Sequence, residues 1–310
     1  AHLTRAARHV ITTPIEHESV LASVDYLRRV HGFAVTELPV DAKGRIEPAD
    51  LETALRDDTA LVTLGYANNE IGTIQDVPAL AALARARRIA FHVDAVQAAG
   101  WLPLSASELG VDAISIAGHK FGAPPGTGVL AVRGRVPLEP VLHGGGQERG
   151  RRSGTESVAG AVALATALTI AEAERVDAAA RVAEFRDDVI EKVLAAVPTA
   201  RLTGDPAHRL PGTASFTFAG TSGEAVLLEL ERRGIVSSSG SACAAGSDEP
   251  SHVLLALGIP AEVAQTSVRF TFSTRHDTRD DPTGRADAEG DARALADAVA
   301  ASVAAVQSAA

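Results

Sequence analysis

The sequence predicts an α/β fold built on a mostly parallel sheet, and three observations carry that prediction. Strand-like and helix-like segments alternate through the first half of the chain, the pattern that crossovers between parallel strands require. The segment over residues 60–66 is a near-continuous apolar run, as strands covered on both faces are. Asn69, Asp94 and Lys120 fall where strand segments end, the edge at which α/β sheets collect ligands.

The elements follow in order. Val20, Leu21, Val24, Leu27 and Val30 recur at helical spacing and mark a helix over residues 19–30. After Gly32, residues 33–38 read as a strand, and Pro48 opens a short helix through residue 55. A buried strand over 60–66 precedes an Ala/Leu/Arg helix over 77–88. Strands over 89–93 and 111–117 follow, the first ending at Asp94 and the second just before His119 and Lys120. Residues 156–197 are nearly all helix formers and predict one long helix or a helix pair joining two domains. Beyond it lie a strand over 213–218, a helix over 223–233 and a short strand over 235–239. Helical segments over 252–257 and 260–266 lead to a strand over 267–272. Residues 276–291 are polar and acidic and predict a mobile loop, with a last helix after residue 292. The domains expected are residues 1–176, a large one whose N-terminal part is missing, and residues 177–310, a smaller α+β one.

Composition narrows the function classes. The chain has 310 residues with 29 basic against 39 acidic, net −10, and aromatics at 4%. That is a poor surface for direct nucleic-acid binding. No apolar run approaches the roughly 20 residues of a membrane span, and the N-terminus lacks the apolar core of a signal peptide, so a cytoplasmic protein is expected. One cysteine excludes an internally stapled scaffold. No metal site is expected.

Several residues are suited to chemistry, each with a plainer alternative. Lys120 is one of only three lysines, with Lys43 and Lys192, in a chain that otherwise takes its positive charge from arginine. A lysine kept at a strand end suits a nucleophile or base where arginine cannot serve; the plain alternative is a solvated surface lysine. Asp94 suits the partner of a protonated ring nitrogen, or equally a helix N-cap. His17 suits a residue lying over a ring or shuttling protons, or a histidine at a helix start. Gly144, Gly145 and Gly146 with Arg149, Arg151, Arg152, Ser153 and Thr155 suit an anion or only a loop. Cys243 sits among serines, glycines and alanines rather than bulky apolar neighbours, as a reactive thiol does. Arg269 suits a bidentate carboxylate partner or an ordinary ion pair.

Seven strings occur in order over residues 11–273: EHESV, NNEIGTIQ, HVDAVQAAG, GHKFGAPPGTG, HGGGQERGRRSGT, SSGSAC and SVRFTFS. In this order they resemble the NifS/IscS-type cysteine desulfurases of the class V aminotransferases, with pyridoxal phosphate (PLP) fold type I. The SSGSAC string is similar to the group with a long mobile cysteine loop. The resemblance implies a seven-stranded-type, mostly parallel sheet and PLP bound through Lys120, which also moves the substrate's Cα proton. It implies Asp94 at the pyridinium nitrogen, Gln97 on the phenolic oxygen, His17 over the ring and His119 on the phosphate. Thr155 would reach the phosphate of the other subunit of a homodimer. Asn69, also counted among the cofactor contacts, and Arg269 would hold the carboxylate of L-cysteine. Cys243 would take the sulfur as a persulfide and pass it to an acceptor such as an iron–sulfur scaffold or a thiolation enzyme.

Two departures stand against the family pattern. Ala117 occupies the place of a phosphate-binding serine two residues before His119. The chain also begins after the family's Asp-Asn-Ala-Ala-Thr-Thr and Gly-Ala-Thr-Glu segments, and without methionine, so a fragment or truncated product is expected. Two further readings stay open: a selenocysteine lyase or related PLP lyase, and a truncated, PLP-poor, non-catalytic form.

Overall fold

A computed structural model describes residues 7–134, 136–239, 249–273 and 288–309. The expected cysteine loop around Cys243 and residues 274–287 lie outside the described residues. The chain divides into two units, one formed by residues 1–39, 46–67 and 75–175, the other by residues 40–45, 68–74 and 176–310.

The first unit is a six-stranded sheet among the described residues. Its strands are β1 (His9–Thr12), β2 (Ala34–Glu37), β3 (Thr59–Gly65), β4 (Ala90–Asp94), β5 (Ala113–Ala117) and β6 (Gly128–Val132). The order is β2-β1-β3-β4-β5-β6, with β1 through β5 parallel and β6 antiparallel to β5. From β1 the chain crosses to β2 on one side, then returns to β3 on the other. The carboxyl ends of β1 and β3 therefore flank a topological switch point, where α/β sheets open a crevice for ligands.

Local chemistry explains the connections. α1 (Glu18–His31) starts at His17, whose ring accepts from the Ser19 N–H, and ends at Gly32 in the left-handed region at φ 67°. After α2 (Pro48–Ala54), α3 (Val77–Ala86) is capped by Asp76 accepting from the Ala79 N–H and buries Val77, Leu80, Ala81 and Ala84. His9 in β1 is buried and spans three strands, one ring nitrogen on Thr59 Oγ1 and the other on Thr36 Oγ1, each at 2.8 Å. Burial holds this imidazole below its ordinary pKa.

The long helix is single: α5 runs Val158–Ala196, 39 residues, beginning in the first unit and continuing into the second. The second unit holds the antiparallel sheet β7-β8-β9, made of β7 (Ala200–Leu202), β8 (Thr213–Phe218) and β9 (Ser267–Thr271). Every residue of β8 is buried, and Phe216 packs on Phe218 and Phe270 with ring centroids 6.0 and 6.2 Å apart. α6 (Gly223–Arg232), α7 (His252–Ala256), α8 (Ala261–Ala264) and α9 (Ala288–Ala309) complete it.

Residues 40–45 and 68–74 group with this second unit because its backbone captures them. Thr73 Oγ1 donates to the Lys43 carbonyl at 2.6 Å and accepts from the Asp205 N–H at 2.9 Å. Buried Arg209 donates to the carbonyls of Ile71 and Thr203 at 2.9 and 3.0 Å. Gly204, at φ 78°, lets the two chains meet: a Cβ there would stand 2.4 Å from the Ile71 carbonyl.

The structure corrects three expectations. Residues 235–239 form no strand; Ser238 makes only an isolated bridge to Arg269, because β9 offers this segment a single residue's pairing. The expected loop over 276–291 gives way at Ala288, where α9 begins five residues before the expected start. β1, β6, β7 and the one-turn α4 (Ala106–Leu109) were not expected. All are short, and β6 is largely exposed at the sheet edge, so none carries a long hydrophobic period.

Candidate active site

Three sequence-predicted residues lie along the carboxyl edge of the first unit's sheet. His17 follows β1, Asp94 ends β4, and Lys120 lies in the 3₁₀ turn Gly118–Lys120 directly after β5. β4 and β5 are neighbours, with Asp94 in register with Ser115. Parallel pairing thus brings residues from distant parts of the chain to one edge.

Each is held by its surroundings. Asp94 Oδ1 accepts from the Val96 N–H at 3.0 Å, which turns the chain after β4. Turns rather than an α-helix follow it, so Asp94 caps a turn. Gln97, three residues on, is half-buried. His17 is exposed; its Nδ1 accepts from Ser19 N–H at 3.1 Å, so the neutral ring carries its proton at Nε2. His119 and Lys120 are exposed on a turn whose pivot, Gly118, is buried. A Cβ at Gly118 would lie 2.3 Å from Thr127 Oγ1 and 2.8 Å from Ala123 Cβ, so glycine is required for the chain to turn there.

Sequence reasoning passed over the groups beneath these residues. Glu16, inside the EHESV string, is buried, and Thr13 Oγ1 donates to its Oε1 at 2.7 Å. Burial foremost, and the charge of Asp94 with it, push its carboxyl up to about 7, against the pull of hydrogen bonds from Thr13 and the Gly65 N–H. His92 bonds Thr63 Oγ1 and Ser115 Oγ at 2.8 Å each, tying β3, β4 and β5 together. Burial lowers its pKa, with Asp94 opposing. A carboxylate immediately before the expected ring-stacking histidine was the available signal for Glu16.

Thr155 is exposed, just past the glycine-rich segment. That segment folds on itself: Gly146 N–H donates to Ser153 Oγ at 3.3 Å and Gly154 N–H to Gln147 Oε1 at 3.1 Å. Glu148 and Arg149 adopt left-handed conformations at φ 49° and 57°, a strained backbone of the kind that functional loops carry.

Asn69 departs from its expected place at a strand end. It lies four residues past β3 and groups with the second unit, because Asn68 Oδ1 accepts from the N–H groups of Glu70 and Ile71 and turns the chain away from the strand direction. There Arg269 Nη1 donates to the Asn69 carbonyl at 2.6 Å, so the two residues expected to share a carboxylate meet. Arg269 and Ser238 also exchange backbone hydrogen bonds, at 2.7 and 3.0 Å. Ser251 Oγ donates to buried Glu70 Oε2 at 2.5 Å and locks the same loop.

The aminotransferase class-V pattern matches residues 1–281. The chain belongs to the aminotransferase class-V family. Among relatives of this class-V chain is the cysteine desulfurase IscS of Dictyoglomus turgidum, 42% identical over 278 residues, covering 89% of this chain and 70% of that protein. Among solved structures, a NifS-like protein superposes with a TM-score of 0.82 at 34% identity, covering 97% of this chain and 75% of the other. SspA in complex with cysteine superposes at 0.74 with 34% identity, covering 86% and 74%. Among the described residues, no helix is long and apolar enough to cross a membrane.

Desulfurases of the class-V family use pyridoxal phosphate. The residues present fit that group. An oriented carboxylate for a ring nitrogen ends β4, an amine follows β5 on the adjacent strand, and an imidazole caps the helix after β1. All three stand at the edge bearing the switch point, where such ligands bind.

Proposed function

We propose that this chain is a cysteine desulfurase, converting L-cysteine to L-alanine and leaving the sulfur as a persulfide on Cys243. The observation that carries the reading is the succession of His17, Asp94 and Lys120 along one sheet edge in a class-V chain. Residues 1–176 supply the cofactor contacts and residues 177–310 the cysteine loop.

Bound pyridoxal phosphate supplies an electron sink for the carbanion formed at the substrate's Cα. Asp94 would hold the ring nitrogen's proton in place, and Gln97 would bond the phenolic oxygen. His17 would lie over the ring and exchange protons with the substrate. His119 would bond the phosphate, and Thr155 would reach the phosphate in the other subunit of a homodimer. Asn69 and Arg269 would orient the substrate carboxylate, and Asn69 would also border the cofactor. Lys120 Nζ removes the Cα proton as general base. The Cys243 thiolate attacks the substrate sulfur. The S–S bond forms as the Cβ–S bond breaks, and the electron pair left on the carbon side takes up a proton to give alanine. An acceptor protein, such as an iron–sulfur scaffold or a thiolation enzyme, then takes the sulfur in the cytoplasm.

Cys243 is the only cysteine, so the test is direct. With PLP and L-cysteine, the parent chain gains the mass of one sulfur atom and releases alanine, and Cys243→Ala does neither. Cysteine turnover that survives Cys243→Ala overturns the mechanism. Selenocysteine turnover surviving alone in that variant favours a lyase.

A further inference from the structure

A concave site lies at the edge of the first unit's sheet opposite His17, Asp94 and Lys120. At the amino ends of β1, β3 and β4 a cavity of about 280 Å³ is floored by buried Thr59 and Ile89 and rimmed by exposed Arg56, Asp57, Arg87 and Arg88. That volume is at the small end of small-molecule sites. The rim gathers positive charge on a chain whose net charge is −10. Arg56 is neutralised, since its Nε and Nη2 donate to the two carboxylate oxygens of Asp58 at 2.9 and 2.8 Å. Arg87 uses one donor in a long contact, 3.4 Å from its Nη1 to the Leu55 carbonyl just past α2. Among the described residues Arg87, Arg88 and Asp57 make no ion pair. Two arginines against one carboxylate therefore leave the cavity with a net positive charge.

The backbone at Arg88 is a second, independent observation. α3, α6 and α7 end alike: a residue of positive φ donates its N–H three residues back, and the following N–H reaches five residues back, the Schellman arrangement. In α6 and α7 that residue is glycine, Gly234 at φ 79° and Gly258 at φ 78°; in α3 it is Arg88 at φ 58°. Only glycine takes this conformation without its Cβ crowding the backbone. The capping bonds are made by backbone atoms alone, so capping does not call for arginine there. The side chain kept on this strained position is one that lines the cavity, and backbone strain of this kind is a pointer to function.

We propose that this cleft binds the phosphate group of a small phosphomonoester, held by the guanidiniums of Arg88 and Arg87. Each guanidinium offers a planar fork of donors. A phosphate has oxygens enough to meet two such forks, whereas a carboxylate fills one. Asp57 opposes the bound charge and weakens the site, and Arg56, tied to Asp58, shapes the rim without adding net charge. The proposal does not depend on the desulfurase reading.

The test reads the cleft locally, apart from any phosphate site at the sheet's opposite edge. Amide exchange of residues 56–60 and 87–90 is followed in the parent chain as inorganic phosphate is raised to about 50 mM, against chloride at equal ionic strength. Saturable slowing of about threefold or more is expected in both segments, and glycerol 3-phosphate should produce it at no higher concentration. No slowing by either probe beyond that in chloride overturns the proposal, and slowing by inorganic phosphate alone overturns the ester. Arg88→Gly removes the guanidinium and relieves the backbone. Its urea midpoint should rise by about 0.3 M, while its affinity for phosphate falls about tenfold. A midpoint at or below the parent's overturns the argument from strain. Slowing that survives in Arg88→Gly combined with Arg87→Gln overturns the site. Asp57→Asn should tighten phosphate binding about threefold, and weaker binding in that variant overturns the placement of the phosphate over this cleft.

Discussion

Ser251→Ala should loosen the loop that presents Asn69 to Arg269. The Ser251 hydroxyl has two jobs: it donates to buried Glu70 Oε2 at 2.5 Å, and it accepts the Leu254 N–H at 3.3 Å, capping α7. Ser251 is 5% exposed and Glu70 2%, so water cannot readily replace either bond. Loss of a serine N-cap costs about 0.5–2 kcal/mol. Taking its donor from a buried carboxyl oxygen costs about 1–3 kcal/mol. The two share one hydroxyl, and about 2–4 kcal/mol together is the expected loss. Native-state hydrogen exchange reads it locally: amides of residues 68–74 and 251–257 should exchange about 30-fold to several hundredfold faster, at roughly tenfold per 1.4 kcal/mol. Ser251→Thr keeps the hydroxyl and should recover most of the protection. Because Glu70 adjoins Asn69, the alanine variant should also raise KM for cysteine more than it lowers kcat. Exchange within threefold of the parent in both segments would refute the reasoning.

Three further outcomes are expected. Glu16 is raised from an ordinary 4.5 to about 7 in the folded chain, so its contribution is complete below about pH 4.5 and lost as pH rises through 7. The stability difference from Glu16→Gln should then change by about 3 kcal/mol across that window, and a flat difference in urea midpoints from pH 4.5 to 8 would count against it. Arg269→Lys keeps the charge but loses the planar fork whose Nη1 bonds the Asn69 carbonyl at 2.6 Å; steady-state kinetics should show KM raised about ten- to hundredfold. Gly118→Ala forces a Cβ against Thr127 and Ala123 and should cut activity at least tenfold by shifting Lys120. Adding Thr127→Ala should restore little, since the Ala123 clash stays.

Much of this was legible in the chain because it is locally encoded. The Val24-centred period, the Gly32 stop, Pro48 and the apolar run of β3 need only their own neighbours to form helix, turn and buried strand. The edge strands were harder. β6 is short and mostly exposed, and what makes it a strand is its pairing with β5 from Ala113↔Val132 to Ala117↔Gly128. Among the candidate residues, Asp94 and Lys120 stand out because strands of clear periodicity end beside them. Glu16 does not, since a glutamate before a helix reads as an N-terminal charge until β3 is laid beside it.

The sequence by itself determined a parallel α/β chain with reactive side chains placed after particular strands, because periodicity, caps and breakers act over a few residues. Only the tertiary structure decided which strand ends adjoin. It buried Glu16 next to Gly65 and Asp94, tied His92 across three strands, and drew Asn69 away from β3 to Arg269 in the second unit. Those outcomes depend on hydrogen bonds between residues 23 to 200 positions apart, whose partners no local pattern specifies.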